Sequence, residues 1–262
     1  MKKINFIEEN SNKNKAIIFL HPKNIANWIF DKQFNQFNDY NLIFIDLPNH
    51  GDSFNLSNFS ISEVTDLLKD FIIKLNKEEV NLIGIDLGGQ ISLDILSKYP
   101  ELINKVIISG VELIDEKDKV SYDKSIVNVL DETKAILDSK DDNFLIRAYL
   151  RYFGIGKEYI KDISNTFKNQ DYENLKKISY ESLNYSIDSN PKDPNKDLLV
   201  CFGSYDTIWC KSSVYEIKKV FKNAKILKIE KATNLWNVRH FKEFNQLINN
   251  YLKSQNTFSL EN

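Results

Sequence analysis

The chain has 262 residues, 42% hydrophobic and 12% aromatic, which is enough for a substantial core and excludes a disordered chain. With 35 basic and 37 acidic residues the net charge is −2, so no bulk field favours nucleic acid or an anionic membrane surface. Two cysteines, Cys201 and Cys210, and three histidines argue against a disulfide framework and against a metal site, and no cofactor is expected.

The N-terminal MKKINFIEEN has two lysines but no apolar core of a signal peptide. No apolar run approaches the roughly 18 residues needed to span a bilayer. A cytoplasmic protein without a membrane partner is the expectation. Residues 3–8 read as a short first strand. The run AIIFL at 16–20 reads as a parallel strand covered on both faces, ended by His21-Pro22-Lys23-Asn24. A short helix is expected over 26–37, then a buried strand over 42–47 and the loop Pro48-Asn49-His50-Gly51-Asp52-Ser53. Ser60 with Glu63 forms a capping box, and Ile61, Val64, Leu67, Leu68, Phe71, Ile72 and Leu75 repeat at helical spacing.

The stretch VNLIGIDLGGQISLDIL at 80–96 follows as a strand, a glycine-flanked tight turn and an apolar-periodic helix that stops at Tyr99-Pro100. This is the setting of a nucleophile elbow, with Asp86 at its apex. A further strand is expected at 106–110. Residues 112–195 then break the alternation: they are helical in pattern, charged, and rich in Tyr and Phe. A connection that long is a subdomain. Strands at 198–202 and 224–229, a helix capped by Ser213 with Glu216, and a closing amphipathic helix at 238–252 complete the chain, and the tail after Ser254 reads as frayed. No internal repeat is visible. His21, residues 46–51, Asp86, Asp206 and Asn234 all fall at the carboxyl ends of expected strands, where open α/β sheets bind ligands.

Read together, these stretches resemble the α/β-hydrolase superfamily in its capped form, over nearly the whole chain. LHPKNIANW is similar to the HG-x loop with its downstream Trp, FIDLPNHGDS to the DLPGHGxS stretch, and LIGIDLGGQISLDI to the elbow. VCFGSYDTI resembles the loop carrying the triad acid, and KATNLWNVRHFKEFNQLI the stretch carrying the triad histidine. The resemblance implies a mostly parallel sheet flanked by helices, with the core at 1–111 and 196–262 and a helical cap at 112–195. It puts Asp86, Asp206 and Asn234 at the triad positions and the backbone N–H groups of Lys23 and Leu87 at the oxyanion hole.

Only the acid keeps its expected residue type. Asn234 cannot act as a base, and Asp86 cannot become an alkoxide, so ordinary serine-hydrolase chemistry is set aside. One reading is a non-hydrolytic or ligand-binding protein. The alternative is an enzyme: a hydrolase using Asp86 as a carboxylate nucleophile, as haloalkane dehalogenases and epoxide hydrolases do, or an acid/base enzyme of lyase type. A conventional hydrolase with its triad elsewhere is the last option, although no other GxSxG occurs. Lys23 turns either onto Asp86 or to solvent. Asp206 is expected to take the side-chain amide of Asn234, and carboxylate repulsion to raise one pKa of the Asp86–Asp206 pair. His21, Trp28 and Trp236 are candidates to line the pocket, while His50 and His240 read as structural. The cap aromatics Tyr149, Tyr152, Phe153, Tyr172, Tyr180 and Tyr185 suggest a small, mainly apolar partner molecule, or form the cap's own core.

Overall fold

The computed structural model describes residues 3–121, 154–168 and 171–254, with residues 124, 127, 134, 146, 147, 150 and 151 between them. The expected cluster of Phe144, Leu145, Ala148, Tyr149, Tyr152 and Phe153, and the tail beyond Ser254, lie outside the described residues.

The strands are β1 (Phe6–Glu9), β2 (Lys15–Leu20), β3 (Asn41–Ile45), β4 (Glu79–Ile85), β5 (Val106–Ser109), β6 (Leu198–Gly203) and β7 (Lys225–Ile229). They form a 7-stranded sheet in the order β1-β3-β2-β4-β5-β6-β7. The β1–β3 pair is antiparallel and the other pairs are parallel. Continuous apolar strands suit this arrangement because successive side chains enter opposite layers. Ile18, Leu20, Ile43, Ile45 and Leu82 feed one core; Ile17, Phe19, Leu42, Phe44, Ile83 and Ile85 feed the other.

The described helices are α1 (Ile61–Leu75), α2 (Leu87–Lys98), α3 (Ile160–Lys168), α4 (Tyr172–Asn184), α5 (Ile208–Val220), α6 (Trp236–Arg239) and α7 (Phe241–Lys253). On the first face α1 and α2 bury Val64, Leu68, Ile91 and Ile95; on the second, α7 buries Phe244 and Ile248 beside Ile29 and Phe30. Ser60 caps α1 as expected, accepting from the Glu63 N–H at 3.3 Å. No helix among the described residues is long and apolar enough to cross a membrane.

Three expected elements differ. The helix expected at 26–37 is a 3-10 segment, Asn27–Gln33, broken at Phe30 (φ −99, ψ 17). α5 starts well before Ser213: Thr207 is its cap, its Oγ1 accepting from the Cys210 N–H at 3.0 Å. Ser213 lies inside the helix, where its Oγ accepts from the Leu113 N–H at 2.7 Å. A Ser-x-x-Glu pattern inside a helix thus imitated a capping box, while the hydroxyl serves a tertiary contact. The closing helix is interrupted at His240 (φ −112, ψ 42), which separates α6 from α7.

β6 pairs with β5 in the register Val106↔Leu198, so the chain leaves the sheet after β5 and returns at β6 in the adjacent position. α3 and α4 belong to that excursion. Tyr172 and Tyr180 pack on a small cluster of Ile114, Leu175 and Leu183, whereas Tyr185 packs on the main core.

Candidate functional site

Asp86 is the single residue between β4 and α2, and the turn holds it at φ 50, ψ −111, a conformation that side-chain-bearing residues rarely adopt. The turn is tight because Gly88 lies against β2: a Cβ there would collide with the Leu20 carbonyl. The Asp86 N–H donates to the Ser109 carbonyl at 2.9 Å, and its own carbonyl accepts from the N–H groups of Gly89 and Gln90 at 2.9 and 3.0 Å. The side chain makes no cap bond to α2.

It turns instead to Lys23. The Lys23 backbone N–H donates to Asp86 Oδ2 at 3.1 Å, and its ammonium donates to Oδ1 at 2.5 Å. The Asp86 side chain is 8% exposed and that of Lys23 22%. Burial works against the Lys23 ammonium, but the charges of Asp86 and Glu112 outweigh it and hold its pKa above the ordinary lysine value. Lys23 turned to solvent is thereby set aside. The 21–24 loop is pinned over the elbow from both sides: the Gly88 N–H donates to the His21 carbonyl at 3.2 Å, and the Asn24 N–H donates to His50 Nε2 at 3.1 Å.

Asp206 follows β6. Its Oδ2 accepts from the Gly203 N–H at 2.6 Å and from the Cys210 thiol at 3.6 Å. Its Oδ1 accepts from Asn234 at 2.7 Å, through the backbone N–H and not through the expected side-chain amide. The Asn234 side chain lies against Gly110, where a Cβ would collide with it. Burial pushes the Asp206 pKa up, and Glu112 adds to this, while its backbone and thiol hydrogen bonds work against it. The repelling carboxylate is thus Glu112 and not the expected Asp86. Glu112 accepts from the Thr207 hydroxyl. Burial, followed by the charges of Asp206 and Glu112, pushes the Cys210 thiol far up, which keeps it protonated and unreactive. Glu112 and Cys210 were not singled out from the sequence; the spacing of Asp206 and Cys210 across the start of α5 was the available signal for the second.

His21 and His50 are held by hydrogen bonds at both ring nitrogens. His21 is fully buried: its Nε2 accepts from the Leu47 N–H at 2.9 Å, so Nδ1 carries the proton and donates to the Pro22 carbonyl at 2.7 Å. His50 has the same pattern, accepting from Asn24 and donating to the Pro48 carbonyl at 3.0 Å. Burial lowers His21 to about 4 and His50 to about 3. Both rings are neutral, hydrogen-bonded at each nitrogen, and packed edge-to-face at 4.9 Å. His240 stands at the α6–α7 junction with a buried Nε2 that has no hydrogen-bond partner among the described residues.

The two tryptophans differ. Trp28 Nε1 donates to Thr166 in α3 at 3.0 Å and its ring lies 5.5 Å from that of Tyr159, so it joins the core to the excursion. Trp236 is 2% exposed, packs on Phe244, and donates to Ser109 Oγ at 2.9 Å. It supports the strand end behind Asp86 and packs in the core. α4 is fastened by two amides. Gln90, in the first turn of α2, donates to the Ser182 carbonyl at 3.0 Å and accepts from its hydroxyl at 2.8 Å. Asn49 donates to Asn174 Oδ1 at 2.5 Å.

The family model for the alpha/beta hydrolase fold matches residues 15–233. A 2-succinyl-6-hydroxy-2,4-cyclohexadiene-1-carboxylate synthase of Enterobacter sp. (strain 638) is 35% identical over 75 residues, 29% of this chain and 29% of that protein. A probable alcohol acetyltransferase of Wickerhamomyces anomalus is 28% identical over 145 residues, 50% of this chain and 41% of that one. The matched stretches therefore span less than half of either relative. Among solved structures, an esterase from Exiguobacterium antarcticum superposes with a TM-score of 0.80 at 16% identity, covering 97% of this chain and 96% of that one. MenH from S. aureus superposes with a TM-score of 0.73 at 19% identity, covering 97% and 98%. These likenesses extend the shared fold to nearly the whole length. By its sheet order, its strand–elbow–helix turn and the match over residues 15–233, the chain belongs to the alpha/beta hydrolase fold family.

Proposed function

We propose that this protein binds a small, mainly apolar molecule in a pocket covered by a helical cap at residues 112–195, and that its elbow does not hydrolyse what it binds. Asp86, Asp206 and Asn234 stand at the three triad positions as a static polar set. The observation that carries this reading is the Lys23–Asp86 pair. The Lys23 ammonium and backbone N–H each take up one lone pair of an Asp86 oxygen, and the ammonium's charge weakens the carboxylate as an attacking group. The backbone N–H of Lys23, one of the two oxyanion donors with that of Leu87, is spent on the same carboxylate. Neither His21 nor His50 replaces the base, since each uses both ring nitrogens structurally.

The strained φ of 50 at Asp86 favours a second reading, in which the retained elbow geometry serves a carboxylate nucleophile or an acid/base step of lyase type. Steady-state assays of the protein together with Asn234→His separate the two, since an ester trapped on Asp86 turns over only where a base is restored. With a panel of p-nitrophenyl esters, bromoalkanes and styrene oxide, the protein is expected to show no turnover above that of Asp86→Asn. Turnover that Asp86→Asn abolishes contradicts the proposal. Asn234→His is expected to stay inert, and turnover gained in that variant favours the second reading.

A further inference from the structure

We infer that the loop carrying Lys23 is a receptor for one small carboxylate and that Asp86 is its resident ligand, so that the pocket refuses acids while that side chain is present. The inference deepens the reading above and rests on it only for a pocket open to a small molecule.

A carboxylate is already seated there in defined geometry. One residue supplies a donor to each oxygen, the backbone N–H to Oδ2 and the ammonium to Oδ1. Bidentate, charge-assisted capture of this kind is specific for a planar anion. The Asp86 side chain makes no cap bond to its own helix and goes to Lys23 instead. The loop is preformed: the Gly88–His21 and Asn24–His50 bonds hold it without help from the Asp86 side chain. The Lys23 side chain, 22% exposed, is reachable from solvent. Shortening Asp86 to alanine strands a partly buried ammonium that needs a counter-charge. Glu112, which accepts from the Thr207 hydroxyl, also acts on Lys23 by its charge, so acetate competes with it for the vacated seat.

Asp86→Ala is titrated with sodium acetate against sodium chloride at constant ionic strength, and the thermal midpoint is followed. Acetate is expected to raise the midpoint of Asp86→Ala, and to bind it roughly tenfold more tightly than it binds the Asp86→Ala/Lys23→Met double variant. The wild type, and Asp86→Asn, whose amide still fills the seat, are expected not to respond. If Asp86→Ala responds no more than the wild type, or if the double variant responds equally, the receptor does not exist. Asp86→Gly, which tolerates a positive φ, repeats the test should the alanine variant not fold. A covalent adduct on the wild type would sink the non-nucleophilic reading and leave the acetate result standing.

Discussion

Replacing Lys23 by methionine removes the charge and keeps much of the side-chain volume. The variant leaves Asp86, 8% exposed at its side chain, without its counter-ion. Breaking a fully buried pair costs about 3–5 kcal/mol. Lys23 is 22% exposed, so water recovers part of that loss, and about 2–3 kcal/mol remains. At about 2–4 °C per kcal/mol for a chain of this size, the midpoint should fall by about 4–12 °C. Lys23→Met/Asp86→Asn, which removes both charges, should lose less than Lys23→Met alone, since a lone buried charge is worse than none. The pH dependence has a definite sign. The Lys23 pKa is raised in the fold, so its stabilisation is complete below the ordinary value of 10.5 and is lost as pH rises through the higher folded value. Differential scanning fluorimetry or calorimetry at neutral pH reads the midpoints. A Lys23→Met midpoint within about 2 °C of the wild type would refute the reasoning, because on this scale it leaves less than about 1 kcal/mol for the pair.

Three further outcomes are expected. The buried neutral histidines give stability that is complete above pH 6.5, the ordinary imidazole value, and declines as pH falls toward the folded values of about 4 for His21 and about 3 for His50; His21→Asn/His50→Asn should flatten that part of a urea-melt pH profile. Gly88→Ala should cost more than about 3 kcal/mol, or prevent soluble expression, because its Cβ meets the backbone of β2; a midpoint matching the wild type would show that the elbow does not press on the strand as described. Lys105 donates to the carbonyls of Tyr251, Leu252 and Ser254 at the end of α7, so Lys105→Met should cost about 1–2 kcal/mol by denaturant melt and raise amide exchange in the last turn of α7.

The sheet was legible in the sequence because its signals are local. Apolar runs such as AIIFL, the Ser60 cap and the Gly88-Gly89 pair each specify a conformation over a few residues. Places where two conformations share one pattern were not legible. Ser213 with Glu216 reads as a cap whether or not a helix already runs through it, and His240 breaks a helix whose apolar period continues across it. At the site, the identities of Asp86, Asp206 and Asn234 were visible, but the contacts between them depend on side-chain direction. Lys23 has a long flexible side chain, so only the packed loop shows that it turns inward to Asp86. Asn234 meets Asp206 through its backbone, a bond to which side-chain identity is nearly blind. Trp236 was visible near the site loops, but its bond to Ser109 is a tertiary contact with no local signal.

The claim at the centre of this account is that Asp86 is a held carboxylate and not a nucleophile. Intact-mass spectrometry after incubation with bromoalkanes, epoxides and activated esters tests it most directly, since Asn234 in place of a base would trap any alkyl–enzyme ester that formed. The account predicts an unchanged mass for the wild type and for Asp86→Asn alike. A stoichiometric adduct on the wild type that disappears in Asp86→Asn would contradict it.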